Sequence, residues 1–196
     1  MKTQANERAK GKHACVAGEE IQFAIGESSL GYVLVARSDK GLCAVLLDDD
    51  PGALQRDLRD RFPKAALVGG DAGMEKLVSK MVKFVEDPSR DLDVQLDERG
   101  TDFQRLVWKA LREIPVGSTA SYTEVANKIG LPKSVRAVAQ ACAANSLAVV
   151  IPCHRVVRRD GAPAGYRWGL ERKKSLSQRE VSKCTSDTAG ASVRKG

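Results

Sequence analysis

The sequence lacks a long apolar run, which excludes a membrane-spanning protein. No stretch of its 196 residues approaches the roughly 18 consecutive apolar positions that a transmembrane helix needs. The first twenty residues contain no apolar segment of signal-peptide length either. We therefore expect a cytoplasmic protein with no membrane partner.

Cysteine and histidine are also scarce. The five cysteines, at positions 15, 43, 142, 153 and 184, contain no Cys-x-x-Cys pair, and their odd number favours reduced thiols over a disulfide framework. The two histidines are His13 and His154. Because His13 and Cys15 alone cannot complete a tetrahedral zinc site, we expect no metal and no cofactor.

Aromatic residues make up 5% of the chain, but the apolar fraction of 42% suffices for packed cores. The charge is unevenly distributed. Residues 1–100 carry 15 Lys and Arg against 18 Asp and Glu, whereas residues 101–196 carry 17 against 7. A basic C-terminal half indicates either a polyanion partner or a solubilising surface, and charge alone does not separate the two.

The N-terminal half predicts an α/β domain. Residues 1–19 are polar and aperiodic, as in a flexible leader. Short apolar runs separated by turns at Gly31 and at 38–41 predict strands at 21–25, 32–37 and 42–47, and alternating apolar residues predict a fourth short strand around 92–96. Helical spacing predicts one helix over 54–62 and a second one capped by Asp71. We place the domain boundary at 97/98, giving domains of residues 20–97 and 98–181.

The C-terminal half predicts short helices. Thr101 and Ser121 each begin a capping box, which places helices directly after them. A further helix is expected from Pro132, as its first residue, to Ala144, with Asn145 as a left-handed C-cap. Two short helices joined by a tight turn are typical of a helix-turn-helix, although many helical bundles look similar. The outward face of the second helix is predicted to carry Lys133, Arg136, Ala137, Gln140 and Ala141.

Cys153 is the candidate nucleophile. A buried strand over residues 147–151 is expected to deliver it to the surface, followed by His154 and Arg155. A histidine and a cation both favour the reactive thiolate. Neighbouring residues on an extended segment face opposite ways, so a proton relay through water is as compatible as a direct contact. An isolated Cys-His pair is also compatible with a small core cysteine beside a surface histidine. A last helix is expected from Leu170 to Val181, and then a disordered tail over 182–196.

The motif Pro152-Cys153-His154-Arg155-Val156 resembles that of the O6-alkylguanine-DNA alkyltransferase family. The similarity covers about residues 30–180 and includes Gly100–Gln104, Val135–Val138, Ala143–Asn145 and Gly165–Gly169. It implies a ribonuclease H-like N-terminal α/β domain and a mainly helical C-terminal domain with a winged-helix-like DNA-binding unit. Some bacterial members carry an additional cysteine-rich zinc domain, for which residues 1–30 have no counterpart.

The resemblance also implies the chemistry. An alkyl group of O6-alkylguanine, and by extension of O4-alkylthymine, would move irreversibly to Cys153 in a single turnover. The partner would be double-stranded DNA, bound by a monomer without sequence preference through the helix-turn-helix. The resemblance implies a role for each of eight residues: acceptor Cys153, base His154, its carboxylate Glu180, the hinge Asn145, and the DNA or base contacts Tyr122, Arg136, Arg155 and Tyr166.

Two alternatives remain at the level of sequence. A non-catalytic lesion-sensing module of the same shape would lack the acceptor, so Cys153 argues against it. A cysteine hydrolase of the Cys-His type would need a histidine distant in the sequence and an oxyanion hole, and no local hydrolase signature is found.

Overall fold

A computed structural model describes the chain from Gly18 to Ala191, with side chains up to Lys183. The predicted leader thus falls outside the described residues, except for Gly18 and Glu19. Glu19 belongs to the folded part, because its carboxylate accepts a hydrogen bond of 2.7 Å from Arg99. No helix in this described range is long and apolar enough to cross a membrane.

The N-terminal half is a four-stranded mixed sheet with two helices. The elements are β1 (Glu20–Ser28), β2 (Gly31–Ser38), β3 (Gly41–Asp48), α1 (Pro51–Arg61), β4 (Ala66–Gly69) and α2 (Ala72–Glu86). The strand order is β3-β2-β1-β4, in which β4 alone runs parallel to its neighbour. The three predicted strands and both helices are confirmed, as is the cap at Asp71, which accepts from the backbone of Gly73 and Met74.

Two features of this sheet differ from the sequence prediction. The expected strand around residues 92–96 is wrong: the segment is extended and forms one parallel bridge, between Leu42 and Leu96. The strand β4 was not predicted, because four residues without clear alternation give too weak a local signal. Pairing with β1 supplies the hydrogen bonds that make this short segment a strand.

The C-terminal half is helical. It contains α3 (Asp102–Arg112), β5 (Ala120–Ser121), α4 (Tyr122–Lys128), α5 (Val135–Ala144), a 3₁₀ turn (Cys153–Arg155), β6 (Val156–Val157) and α6 (Leu170–Ala191). Both predicted capping boxes are present, at Thr101 and at Ser121. Trp108 on α3 is buried and donates its indole N–H to the carbonyl of Ala141 at 2.8 Å. Ala141 therefore lies in the core and not on the predicted outer face of α5.

Helix α1 begins at Pro51, three residues before the predicted start, and two helix boundaries in the C-terminal half also differ. Helix α5 begins at Val135 and not at Pro132, because the Ser134 N–H donates to the Leu131 carbonyl at 2.9 Å and closes a turn first. Helix α6 continues to Ala191 instead of ending at Val181. The expected disordered tail is thus corrected for residues 182–191, where no proline interrupts the helical hydrogen bonds. Residues 192–196 lie outside the described part.

Strand β3 connects the two halves. The Val45 N–H donates to the carbonyl of Ser146 at 2.8 Å, and the Ala148 N–H donates to the carbonyl of Val45 at 2.9 Å. These bonds attach the segment before Cys153 to the edge of the sheet. The N-terminal sheet therefore positions the backbone that leads to the cysteine.

Candidate active site

Cys153 is buried, with 5% of its surface exposed. The sequence predicted that it surfaces at the end of a strand; instead it begins the 3₁₀ turn, which directs its side chain inward. Residues 147–151 form a turn and not a strand, closed by the Ile151 N–H on the Leu147 carbonyl at 2.9 Å. Burial raises the pKa of the Cys153 thiol, so ionisation of this group needs specific electrostatic support.

Asn145 braces this turn from inside. Its side-chain amide donates to the Ile151 carbonyl at 2.9 Å and accepts from the Leu147 N–H at 2.8 Å. The same amide nitrogen lies 3.4 Å from the Cys153 Sγ, as a donor. The predicted left-handed C-cap is wrong, because the Asn145 backbone is extended, with φ −56° and ψ 129°.

The braced turn contains a strained residue. Val149 has a φ of 67°, in the left-handed region that a β-branched side chain disfavours. Such a conformation costs of the order of 1–3 kcal/mol and persists where the surroundings enforce it. The Asn145 amide, with bonds before and after Val149, provides that enforcement.

His154 and Glu180 form a buried pair. The His154 Nε2 lies 2.8 Å from the Glu180 Oε1, and both side chains are almost inaccessible to solvent. Burial by itself would raise the pKa of Glu180, but hydrogen bonds from His154 and Arg155 outweigh it and lower that pKa to about 2. The carboxylate is therefore ionised, and it accepts a hydrogen bond from the Nε2–H of His154.

This pairing fixes the histidine tautomer. Burial lowers the pKa of His154, while Glu180 opposes that shift, so the resting imidazole is neutral. With the proton on Nε2, the lone pair is on Nδ1, which is buried without a hydrogen-bond partner in the described structure. An unpartnered basic nitrogen next to a cysteine can accept the thiol proton, directly or through a water molecule.

Arg155 does not have the predicted role. Its guanidinium is buried and donates to both oxygens of Glu180, at 3.0 Å from Nε and 2.9 Å from Nη2. A further bond of 2.6 Å goes to the carbonyl of Ile114. The prediction that Arg155 contacts DNA is corrected, because desolvated Glu180 needs a cationic partner and Arg155 supplies it.

Tyr166 and Tyr122 lie near the thiol. Tyr166 is partly buried, and its hydroxyl oxygen is buried without a hydrogen-bond partner among the described residues. Its ring stands edge-on to Trp168 at 5.1 Å between centroids. Burial and the Cys153 charge raise the pKa of Tyr166, so the hydroxyl keeps its proton as a donor. Tyr122 is half-buried, and this burial raises its pKa to about 12.

Arg136 lies apart from this cluster. It is exposed on the first turn of α5, and within the described residues no carboxylate pairs with it. An exposed, unpaired guanidinium on a helix face is available to a ligand that approaches from solvent.

Sequence reasoning missed Lys173. This lysine is 1% exposed and donates from Nζ to the backbone carbonyls of Val156 and Ala164. Helical spacing could have indicated its burial, because Lys173, Leu176 and Glu180 lie on one face of α6 and all three are buried.

The geometry is that of a protein in which one buried cysteine is followed by a histidine paired with a buried carboxylate, beside a unit of short helices. A family profile described as "6-O-methylguanine DNA methyltransferase, DNA binding domain" matches residues 102–182. The chain is 49% identical over 161 residues to the bifunctional transcriptional activator/DNA repair enzyme Ada of Escherichia coli, covering 82% of this chain and 46% of that one.

Two further relatives are matched over most of their length. The inducible methylated-DNA–protein-cysteine methyltransferase of Bacillus subtilis is 39% identical, over 72% of this chain and 80% of its own. The crystal structure of Mycobacterium tuberculosis OGT in complex with DNA superimposes with a TM-score of 0.67 and 32% identity, covering 84% and 94% of the two chains. This chain belongs to the methylated-DNA–protein-cysteine methyltransferase family. It spans about half the length of the Ada relatives from Escherichia coli and Salmonella typhimurium.

Proposed function

We propose that this protein repairs DNA by moving the alkyl group of O6-alkylguanine onto its own Cys153. The observation that carries the proposal is the buried arrangement at the thiol, where Asn145 donates to Sγ and the His154–Glu180 pair leaves a free basic nitrogen. The relatives' names state the same chemistry. O4-alkylthymine is a second substrate of this proposal, with the same alkyl–oxygen bond.

The reaction is a displacement at carbon. The proton of the Cys153 thiol passes to His154 Nδ1, and the thiolate attacks the alkyl carbon as the bond from that carbon to O6 breaks. Guanine leaves with the electron pair and takes up a proton, and the hydroxyl of Tyr166 is the donor suited to stabilise that developing charge. The thioether product carries no leaving group, so each molecule reacts once.

Burial of Cys153 requires the damaged base to leave the duplex. A stacked guanine cannot bring its O6 substituent to a thiol that is 5% exposed. Extrusion costs a few kcal/mol, and a side chain that fills the vacated position offsets part of it. We assign that position to Arg136 and assign Tyr122, at the start of α4, to the neighbouring phosphate.

The finer fold assignments support DNA as the partner. We infer a ribonuclease H-like domain over residues 20–97 and a winged-helix-like domain over 98–181. After the helix pair α4–α5 the chain forms a short hairpin, in which Val157 and Pro163 make an antiparallel bridge. Gly161, with φ 78°, lies in the turn between them. That hairpin has the place of a wing, and α5 has that of the recognition helix.

The test of this function is the mass of the protein after incubation with duplex DNA containing O6-methylguanine. We expect every active molecule to gain the mass of one CH₂ group, with peptide mapping placing it on Cys153. An unchanged mass with tight lesion binding would indicate a sensing module, and continuous turnover of an ester or peptide would indicate a hydrolase.

The role of Arg136 predicts a substrate-dependent loss. Arg136→Ala should react about tenfold or more slowly with duplex DNA, because the extruded state loses the side chain that fills the gap. The same variant should react with free O6-benzylguanine at the parent rate, since that ligand needs no extrusion. The measurement is the single-turnover rate on both substrates, at saturating DNA.

Lys133→Ala is the matched control for this experiment. It removes another exposed cation next to α5 and should weaken DNA binding without slowing the reaction at saturation. Equal losses of Arg136→Ala on duplex and free base would show that Arg136 supports the fold and would remove it from the extrusion step.

A further inference from the structure

Lys173 is a buried cation that the mechanism above does not use. It lies on α6 with 1% of its surface exposed. Its Nζ donates to the carbonyl of Val156, directly after the cysteine turn, and at 3.1 Å to the carbonyl of Ala164, directly before the Gly165–Tyr166 loop. An ammonium group has three donors. Two carbonyls fix the head of Lys173 between the two segments that enclose the thiol, and one donor is left.

A buried ammonium needs a compensating negative charge, because desolvation of an isolated ion is costly. In the described part of the chain, no carboxylate forms an ion pair with Lys173. Glu180 is the buried carboxylate on the same face of α6, but its oxygens accept from His154, Arg155 and the Gly117 N–H. Glu180 is therefore balanced by Arg155, and Lys173 remains without a counter-charge.

The other titratable groups around the thiol do not supply one. Burial raises the pKa values of Cys142 on α5, Tyr122 on α4 and Tyr166 in its loop, so all three stay neutral. His154 is neutral in the resting state. Burial lowers the pKa of Lys173, and the opposing influences come from Cys153 and Cys142. Among these groups, Cys153 is the one whose anion the proposed reaction requires.

We propose that the ammonium group of Lys173, held by the Val156 and Ala164 carbonyls, is the counter-charge of the Cys153 thiolate. Lys173 is thus a positioning residue: it acts through the electric field at Cys153 and through the two backbone segments that it joins. The proposal deepens the function proposed above and rests on it only for the identity of the substrate. The proposal gives the two residues different roles: His154 receives the thiol proton, and Lys173 stabilises the thiolate that remains.

The test is the pH dependence of Cys153 reactivity in the full chain. We compare the parent, Lys173→Met and Lys174→Met, with rates measured for free O6-benzylguanine and for iodoacetamide, and with the modified residue identified by mass mapping. Lys174→Met is the matched control, because Lys174 is the next residue on α6 but exposed and paired with Glu171.

We expect the midpoint of the rate–pH profile to rise by about one unit or more in Lys173→Met, with both reagents. The rate at neutral pH should fall about tenfold and should recover at high pH, where the thiol ionises without help. Lys174→Met should keep the parent midpoint. A lower rate at every pH with an unchanged midpoint would show that Lys173 supports packing alone, and would overturn the proposal.

A second measurement needs no substitution and decides the question if Lys173→Met does not fold. In the parent protein labelled with ¹³C-lysine, the pKa of Lys173 is followed by NMR before and after Cys153 is blocked with iodoacetamide. Blocking converts the thiolate into a neutral thioether, so the Lys173 pKa should fall by about one unit or more. An unchanged value would overturn the proposal. Suppose that the rate midpoint rises in Lys173→Met and that the Lys173 pKa falls when Cys153 is blocked, but that the parent protein takes no methyl group from DNA. This result would support the role of Lys173 and contradict the proposed function.

Discussion

Replacing Cys153 with alanine is expected to abolish alkyl transfer completely while DNA affinity stays within about tenfold of the parent value, because the thiol supplies chemistry and not phosphate contacts. The other two cysteines whose side chains the structure describes, Cys43 and Cys142, are not expected to take over. Cys43 and Cys142 are buried, and burial raises the pKa of both thiols, to about 12 for Cys43. Neither has a histidine–carboxylate pair beside it.

The measurement combines intact mass after reaction with O6-methylguanine DNA and a titration of DNA binding. Cys43→Ala is the matched control: it removes a buried thiol in the sheet, remote from the site, and should leave one transferred methyl group per molecule. Any methyl transfer by Cys153→Ala, on whichever residue, would refute the assignment of the acceptor.

The second large effect is expected for Glu180→Gln. Removing the carboxylate charge leaves Arg155 buried without its counter-ion, and breaking a buried pair in this way costs about 3 kcal/mol of unfolding free energy. The amide oxygen of glutamine is a neutral acceptor, so it stabilises the imidazolium form of His154 less than the carboxylate does. We therefore expect transfer to slow about a hundredfold, and equally on duplex DNA and free O6-benzylguanine, since the step affected is proton removal from the thiol.

Glu171→Gln provides the control for Glu180→Gln. Glu171 lies on the same helix but is exposed, and its pair with Lys174 is a surface contact of small energetic value. The control should lose neither stability nor rate. A Glu180→Gln protein that reacts at the parent rate would remove the carboxylate from the proton-transfer step, whatever its stability.

The pH dependence of stability gives an independent check on Glu180. Its pKa is about 2 in the folded protein, below the ordinary value of 4.5. A depressed pKa contributes stability that is fully present above pH 4.5 and is lost as the pH falls toward 2. The difference in unfolding free energy between parent and Glu180→Gln, measured by chemical denaturation, should therefore shrink over that window. If the difference stays constant down to pH 2, Glu180→Gln loses stability through altered packing and not through the missing charge.

Local signals determined much of this protein. The three strands β1–β3 follow from short apolar runs bounded by turn residues. Helices α3 and α4 follow from capping boxes, in which two residues three positions apart satisfy each other's backbone groups. The Cys153-His154 dipeptide suggested a nucleophile, and the longer motif Pro152–Val156 carried the family resemblance. All of these depend on interactions between residues close together in the sequence.

The tertiary structure decided which atoms meet, and it changed several assignments. Arg155 was expected to contact DNA, yet it pairs with Glu180, which is 25 positions away. Asn145 was expected to be a left-handed cap, yet it braces the turn through Ile151 and donates to the thiol. Both outcomes depend on how α6 and the sheet edge pack against the cysteine turn, and no local pattern contains that information.

Burial is the physical reason for the difference. In a solvated chain Arg155, Lys173 and Glu180 are ordinary charged residues, and the sequence pattern alone predicts a solvent-exposed side chain for each of them. Once packing removes them from water, each charge must find polar partners at short range, so Arg155 is fixed on Glu180 and Lys173 on the carbonyls of Val156 and Ala164. The sequence determined which cysteine stands beside a histidine; the tertiary structure decided which buried charges surround it.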